Sequence, residues 1–179
     1  MDQATIISML VLLIALLLPV LARVLRRYPK WLATAGYALL ALYAAAYLYE
    51  TLLFRTVKDE YMFRTEVLWS YREALVMPDG LMSLFKGTAR VKRPDLWEGI
   101  LLNILLCIPL GYLLPFVFAK LKGWHVLLIA FLCSVLTEVV QLVFKLGWFE
   151  FDDIINNTLG AVIGLVMYLC IIRPLAKGK

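Results

Sequence analysis

Five stretches without a single Asp, Glu, Lys or Arg divide this chain: Thr5–Ala22, Trp31–Tyr49, Gly99–Ala119, Gly123–Thr137 and Ile154–Ile172. Alone or slightly extended, most of them reach the about 20 residues that an α-helix needs to cross roughly 30 Å of hydrocarbon. Inside a bilayer only helices and closed barrels satisfy every backbone N–H and C=O, so runs of this length fix the fold class before any motif is considered. Composition agrees: 63% of the 179 residues are hydrophobic and 17% charged, against roughly 45–50% and about 25% in soluble domains. A water-soluble globular enzyme is excluded. The expectation is an all-α polytopic membrane protein, one membrane domain over 1–179, with five transmembrane helices at about 5–24, 31–54, 98–119, 124–144 and 153–173.

The net charge of +5 does not indicate nucleic acid, because the Lys and Arg residues flank apolar spans and do not form a basic face interleaved with aromatics. Cys107, Cys133 and Cys170 all fall inside apolar runs and His125 is the single histidine. Zinc-finger and disulfide frameworks are thereby excluded. The first run is preceded by Asp2 and followed by Arg23, Arg26, Arg27 and Lys30, the reverse of a secretory signal, and reads as a retained helix.

Between the second and third spans lies a long polar segment, about 55–97. There Tyr61, Leu68, Tyr71 and Leu75 recur near helical spacing with Arg64, Glu66, Arg72 and Glu73 between them. That pattern fits either a short interfacial helix or a solvated loop. The loop at 23–30, the pair Lys120 and Lys122, and the tail with Arg173, Lys177 and Lys179 carry cations without acidic neighbours. By the positive-inside rule they are cytoplasmic, which places the amino terminus outside and the carboxy terminus inside.

Threading five antiparallel spans brings the end of the second, the start of the third, the end of the fourth and the start of the fifth to one membrane face. Glu50, Asn103, Glu138, Gln141 and Asn157 all sit within a few residues of those ends. A carboxylate in a span costs about 2.5–3.5 kcal/mol at the bilayer centre, so such residues face a cavity or a partner. Glu138 and Gln141, with Ser134 four residues before, form one helix stripe, and Asp153 and Asn157 form another. Gly160 and Gly164 make a GxxxG pair, suited to intramolecular packing or to a homodimer. Each residue also has a structural reading: interhelical hydrogen bonds for the asparagines, a snorkelling position for Glu50, an N-terminal cap for Asp152 and Asp153, an interfacial place for His125.

The segments NILLCIPLGYLLP (Asn103–Pro115), TEVVQ (Thr137–Gln141) and GWFEFDDIINNTLGAVIG (Gly147–Gly164) together resemble the VanZ-like family of small membrane proteins. LLFR (Leu52–Arg55) and VLWSYREAL (Val67–Leu75) are similar to its second-helix end and aromatic loop, and the resemblance extends over 50–173. Carried across position by position, the family's polar pattern falls on Asn103, Pro109, Gly111, Glu138, Gln141, Asp152, Asp153, Asn157 and Gly160. Two positions depart from it: Trp148 stands where an Arg is usual and Glu150 where an Asp is common. A cation beside the carboxylates would then come from Arg55, Arg64 or Arg72. The resemblance implies a place in a bacterial plasma membrane and teicoplanin-type antibiotic resistance, the role of the founding member.

Three classes of function follow. In the first, an outward polar cavity engages a lipid-linked glycan, a lipid head group or a lipoglycopeptide, with Asn103, Gln141, Asn157 and Glu50 offering polar groups and Arg64 or Arg72 meeting phosphate. The second is an enzyme acting on a lipid head group, with Glu138, Asp152 and Asp153 as acid–base groups or as ligands of Mg²⁺ or Mn²⁺. No cofactor is otherwise indicated, and no metal box is recognisable. The third is a small transporter, for which five spans without an inverted repeat offer little machinery.

Overall fold

The computed structural model describes residues 17, 29–76 and 96–177. The expected span at 5–24, Leu17 apart, lies outside them, as does the 77–95 part of the long loop with Pro78, Asp79 and Gly80. Four helices among the described residues are long and apolar enough to cross a membrane: Lys30–Leu53, Leu96–Val117, Gly123–Val143 and Phe151–Leu175. They fall where the second to fifth spans are expected, the last starting two residues early so that Asp152 and Asp153 lie in its first turn.

In chain order the elements are α1 (Pro29–Leu48), closed by a π-helical turn at Tyr49–Leu53, then β1 (Met62–Arg64), α2 (Trp69–Val76), α3 (Leu96–Val117), α4 (Gly123–Val143), β2 (Trp148–Glu150), α5 (Phe151–Met167), a second π-helical stretch at Tyr168–Ile172, and α6 (Arg173–Lys177). Among the described residues of the long loop, helical spacing is realised only over α2; Tyr61 stands before β1, outside that helix.

The packing is inverted relative to a water-soluble protein. Along α4, Ser134, Thr137, Glu138 and Gln141 are buried while Leu128, Phe131, Leu132, Leu136 and Val143 are exposed. Along α5, Asp152, Asn156 and Asn157 are buried while Leu159, Val162, Ile163 and Val166 are exposed. Lipid solvates the outer apolar face, so polar groups find their partners inside.

Helix direction follows from matched contacts. The Tyr47 and Thr137 hydroxyls are 3.0 Å apart and Gln141 Nε2 donates to the Thr51 carbonyl at 2.9 Å, so α1 and α4 run parallel. α3 and α5 form the most extensive helix pair, also parallel: a Cβ on Gly160 would meet the Ile104 carbonyl, and one on Gly164 the Ile108 carbonyl. At Gly111 the obstacle is the Ala161 carbonyl. Only glycine permits this approach of two backbones, and the Gly160–Gly164 face is therefore occupied within the chain.

One end of the bundle gathers the starts of α1 and α4 and the end of α3. There Trp124 stacks on His125 with centroids 3.6 Å apart, and His125 Nδ1 accepts the Lys122 N–H at 3.2 Å. At the other end, β1 and β2 pair in parallel, Met62 with Trp148, Phe63 with Phe149 and Arg64 with Glu150. Their shared direction follows from α1 and α4, which run the same way and lead into them; the crossover between the strands is the intervening bundle.

Candidate functional site

The site is built where α1 and α4 end and α3 and α5 begin. α5 supplies two adjacent stripes, because residues four apart share a helix face and consecutive residues do not. Asp152 and Asn156 point to the long loop. Asp152, 1% exposed, accepts from the Leu68 N–H at 2.5 Å, the Ser70 N–H at 2.8 Å and the Ser70 hydroxyl at 2.6 Å. It thus caps α2 from another element, just where Leu68 adopts a positive φ of 60°. The Tyr71 hydroxyl donates to Asn156 Oδ1; burial and then the Asp152 charge raise the Tyr71 pKa, so the phenol keeps the proton it donates.

Asp153 and Asn157 point into the bundle. Asn103 Nδ2 of α3 donates to Asp153 at 2.6 Å, and Asn157 Nδ2 donates to Ser134 Oγ of α4 at 2.9 Å. Glu138, 2% exposed, accepts the Glu150 N–H at 3.0 Å, which ties the end of β2 to α4. Glu50 occupies the π-helical turn, beside Thr51, whose carbonyl receives Gln141.

Between these elements lies a cleft of about 410 Å³, lined by Phe54, Arg55, Thr56, Lys58, Met62, Leu146, Gly147, Trp148, Glu150 and Asp153. Arg55 and Lys58 bring its cations from the segment after α1; Glu150 and Asp153 bring its carboxylates from β2 and α5. The segment is anchored by the Lys58 N–H to the Lys145 carbonyl at 2.7 Å and by Lys145 Nζ to the Asp59 carbonyl at 3.0 Å. Burial, then the charge of Asp153, pushes the Glu150 carboxyl up to about 7 against the opposing pull of Arg64.

Of the three arginines considered from sequence, Arg55 lines the cleft. The Arg64 guanidinium lies 3.7 Å from the centre of the Trp69 ring and 5.3 Å from that of Trp148. Trp148, at the position where the resemblance implies an arginine, thus meets a cation instead of supplying one. Arg72 forms an exposed ion pair with Glu66 at 2.9 Å. Among the described residues no group of three His, Cys, Asp or Glu is placed to hold a metal ion.

The structure therefore connects Asn103 with Asp153 and Asn157 with Ser134, and places Glu138 and Gln141 behind the cleft as supports of its walls. Asp152 is directed to the loop and Arg72 to Glu66. Sequence reading passed over Lys58, which carried no pattern of its own, and Asn156, for which a signal existed: it stands four residues after Asp152, the spacing that linked Asp153 to Asn157.

Comparison with curated proteins and with solved structures gives no match. The VanZ/LLP1 family profile matches residues 40–173, a range that holds every residue lining the cleft and both strands. With three quarters of its length inside that match, this membrane protein belongs to the VanZ/LLP1 family.

Proposed function

We propose that the chain binds the polar head of a cell-envelope amphiphile, a lipid, a lipid-linked glycan or a lipoglycopeptide, in the cleft between the α1 end and the α5 start. The observation that carries this reading is the position and lining of the cleft. It opens where four apolar helices terminate, which for helices of membrane-spanning length is the level of the lipid head groups, and its volume falls in the roughly 300–1,000 Å³ range of small-molecule sites. Phe54, Met62, Leu146 and Trp148 give it an apolar wall; Arg55 and Lys58 give it donors suited to phosphate or carboxylate. The positive-inside rule puts this end of the bundle outside, where such ligands are met, and teicoplanin resistance would follow if the ligand were the antibiotic or its lipid-linked target.

Native mass spectrometry of the amphiphiles retained by the full chain from detergent-solubilised Gram-positive membranes tests it. Wild type retains species whose heads carry a phosphate or carboxylate, and Arg55→Gln with Lys58→Gln loses them; an unchanged retained set in the double variant refutes the cleft as the binding site. In a teicoplanin-sensitive host at matched membrane levels, the same pair of chains gives the resistance readout, with vancomycin as control.

A catalytic reading draws on one observation, the Glu150 carboxyl at about 7 beside Asp153 in the same cleft. A carboxyl titrating near neutrality serves as general acid or base. Turnover of a bound lipid, lost in Glu150→Gln while retention persists, would favour it over binding alone.

A further inference from the structure

We infer that the cleft is built for a zwitterionic phospholipid head, with the phosphate on Arg55 and Lys58 and a primary ammonium between Glu150 and Asp153. This rests on the proposed function and names the ligand class of the same site. Two cations and two carboxylates share one cleft, yet no ion pair among the described residues joins either cation to either carboxylate. Lys58 Nζ reaches only Thr56 Oγ1 at 3.4 Å, and Asp153 is met by the neutral Asn103 amide. Opposite charges that share a cleft without closing on each other leave both signs available to a ligand.

A bound ammonium favours the ionised form of Glu150, and with both carboxyls ionised the formal charge of the four groups cancels, so a head with only negative charge would satisfy the cations while facing two carboxylates. One with only positive charge would face Arg55 and Lys58. A head carrying both signs satisfies all four. The carboxylates accept hydrogen bonds, which a primary ammonium donates three ways and a quaternary one cannot. Cations and carboxylates come from separate segments, after α1 and across β2 and α5, which gives the ligand a fixed polarity in the site. The apolar wall of Phe54, Met62, Leu146 and Trp148 receives the glycerol and the first methylenes of the chains, which a soluble phosphoethanolamine lacks.

The test is competitive binding to the purified full chain, by native mass spectrometry, of an equimolar mixture of dioleoyl phosphatidylethanolamine, its N-acetylated derivative, phosphatidylglycerol and phosphatidylcholine. Phosphatidylethanolamine is retained about fivefold over each of the others, the size of one partly solvated charge-assisted contact. Glu150→Gln brings that ratio close to unity; Arg55→Gln with Lys58→Gln lowers retention of all four. Because the ratio is read within one sample, partial loss of folded protein does not alter it. A wild-type ratio near unity, or one that Glu150→Gln leaves unchanged while the Arg55 and Lys58 variant still releases every lipid, overturns the head-group assignment and leaves the cleft as a binding site. Indifference of all lipids to every cleft variant overturns the proposed function itself. Free phosphoethanolamine that displaces the lipid at equal concentration overturns the lipid as its source.

Discussion

Asp152→Ala tests whether one carboxylate of α5 holds the long loop against the bundle. The native side chain accepts two backbone N–H groups, of Leu68 and Ser70, and the Ser70 hydroxyl, all at 2.8 Å or less, in a site only 1% exposed. Hydrogen bonds to a charged group contribute about 1.5–3 kcal/mol each, and each orphaned buried donor costs about 1–3 kcal/mol. These contributions are not additive, and water enters once the loop lifts. A loss of about 3 kcal/mol in the local opening free energy is the working value, and at 1.4 kcal/mol per tenfold it lowers protection about a hundredfold. Hydrogen exchange of the Arg72, Glu73 and Ala74 amides in detergent micelles reads it directly. Ser70→Ala removes only the hydroxyl bond and is expected to lower protection about fivefold, for about 1 kcal/mol. If Asp152→Ala changes protection of these amides less than threefold while α4 and α5 exchange as in wild type, the cap does not hold the loop and the reasoning fails.

Gly164→Ala, which places a Cβ against the Ile108 carbonyl, lowers resistance to SDS unfolding by about 2–3 kcal/mol or more, since a backbone atom cannot move aside; Gly99→Ala, with open space around it, is the neutral control, and equal unfolding of the two would refute the close-packed α3–α5 contact. Because the fold raises the Glu150 carboxyl from its ordinary 4.5 to about 7, it favours the protonated form: that contribution to stability is complete below about 4.5 and is lost as pH rises through about 7. Wild type therefore melts higher at pH 6 than at pH 8, and Glu150→Gln reduces the difference; an equal slope in the variant would assign the titration to another group. Arg64→Gln removes the guanidinium over Trp69 and Trp148, weakens the β1–β2 end by about 1 kcal/mol and shifts tryptophan emission, whereas an unaltered spectrum would show that the stack does not persist in solution.

The spans at 31–54, 98–119, 124–144 and 153–173 were legible because bilayer thickness imposes a length that composition alone reveals. The meeting of helix ends was equally legible, since it follows from threading antiparallel spans, and Asn103 with Asp153 or Asn157 with Ser134 only had to be close. Less could be read from the long loop. Its spacing from Tyr61 to Leu75 suggested one helix, but Met62–Arg64 pairs with Trp148–Glu150, and strand pairing between residues so distant in sequence has no local signature. The cleft cations were legible only in part: Arg55 was one of three candidates, and Lys58 was one basic residue among many in a polar segment.

Asp152 and Asp153 show how two neighbouring carboxylates acquire different work from helix geometry alone. About 100° separates consecutive side chains on an α-helix, so at the start of α5 one acid faces α2 and the other faces α3 and the cleft. The first has both oxygens engaged by loop donors; the second meets an amide and keeps a share of the cleft wall. Glu138 is likewise engaged by the Glu150 N–H. Holding the loop thus takes up Asp152, holding β2 takes up Glu138, and what remains facing open space is Glu150 and Asp153. The cations divide in the same way, Arg64 to the tryptophans and Arg72 to Glu66, leaving Arg55 and Lys58. The loop that carries these cations is fixed at Lys58 by Lys145, at β1 by β2 and at α2 by Asp152. Its cations are consequently positioned before a ligand arrives, and less ordering of the loop is set against the binding energy.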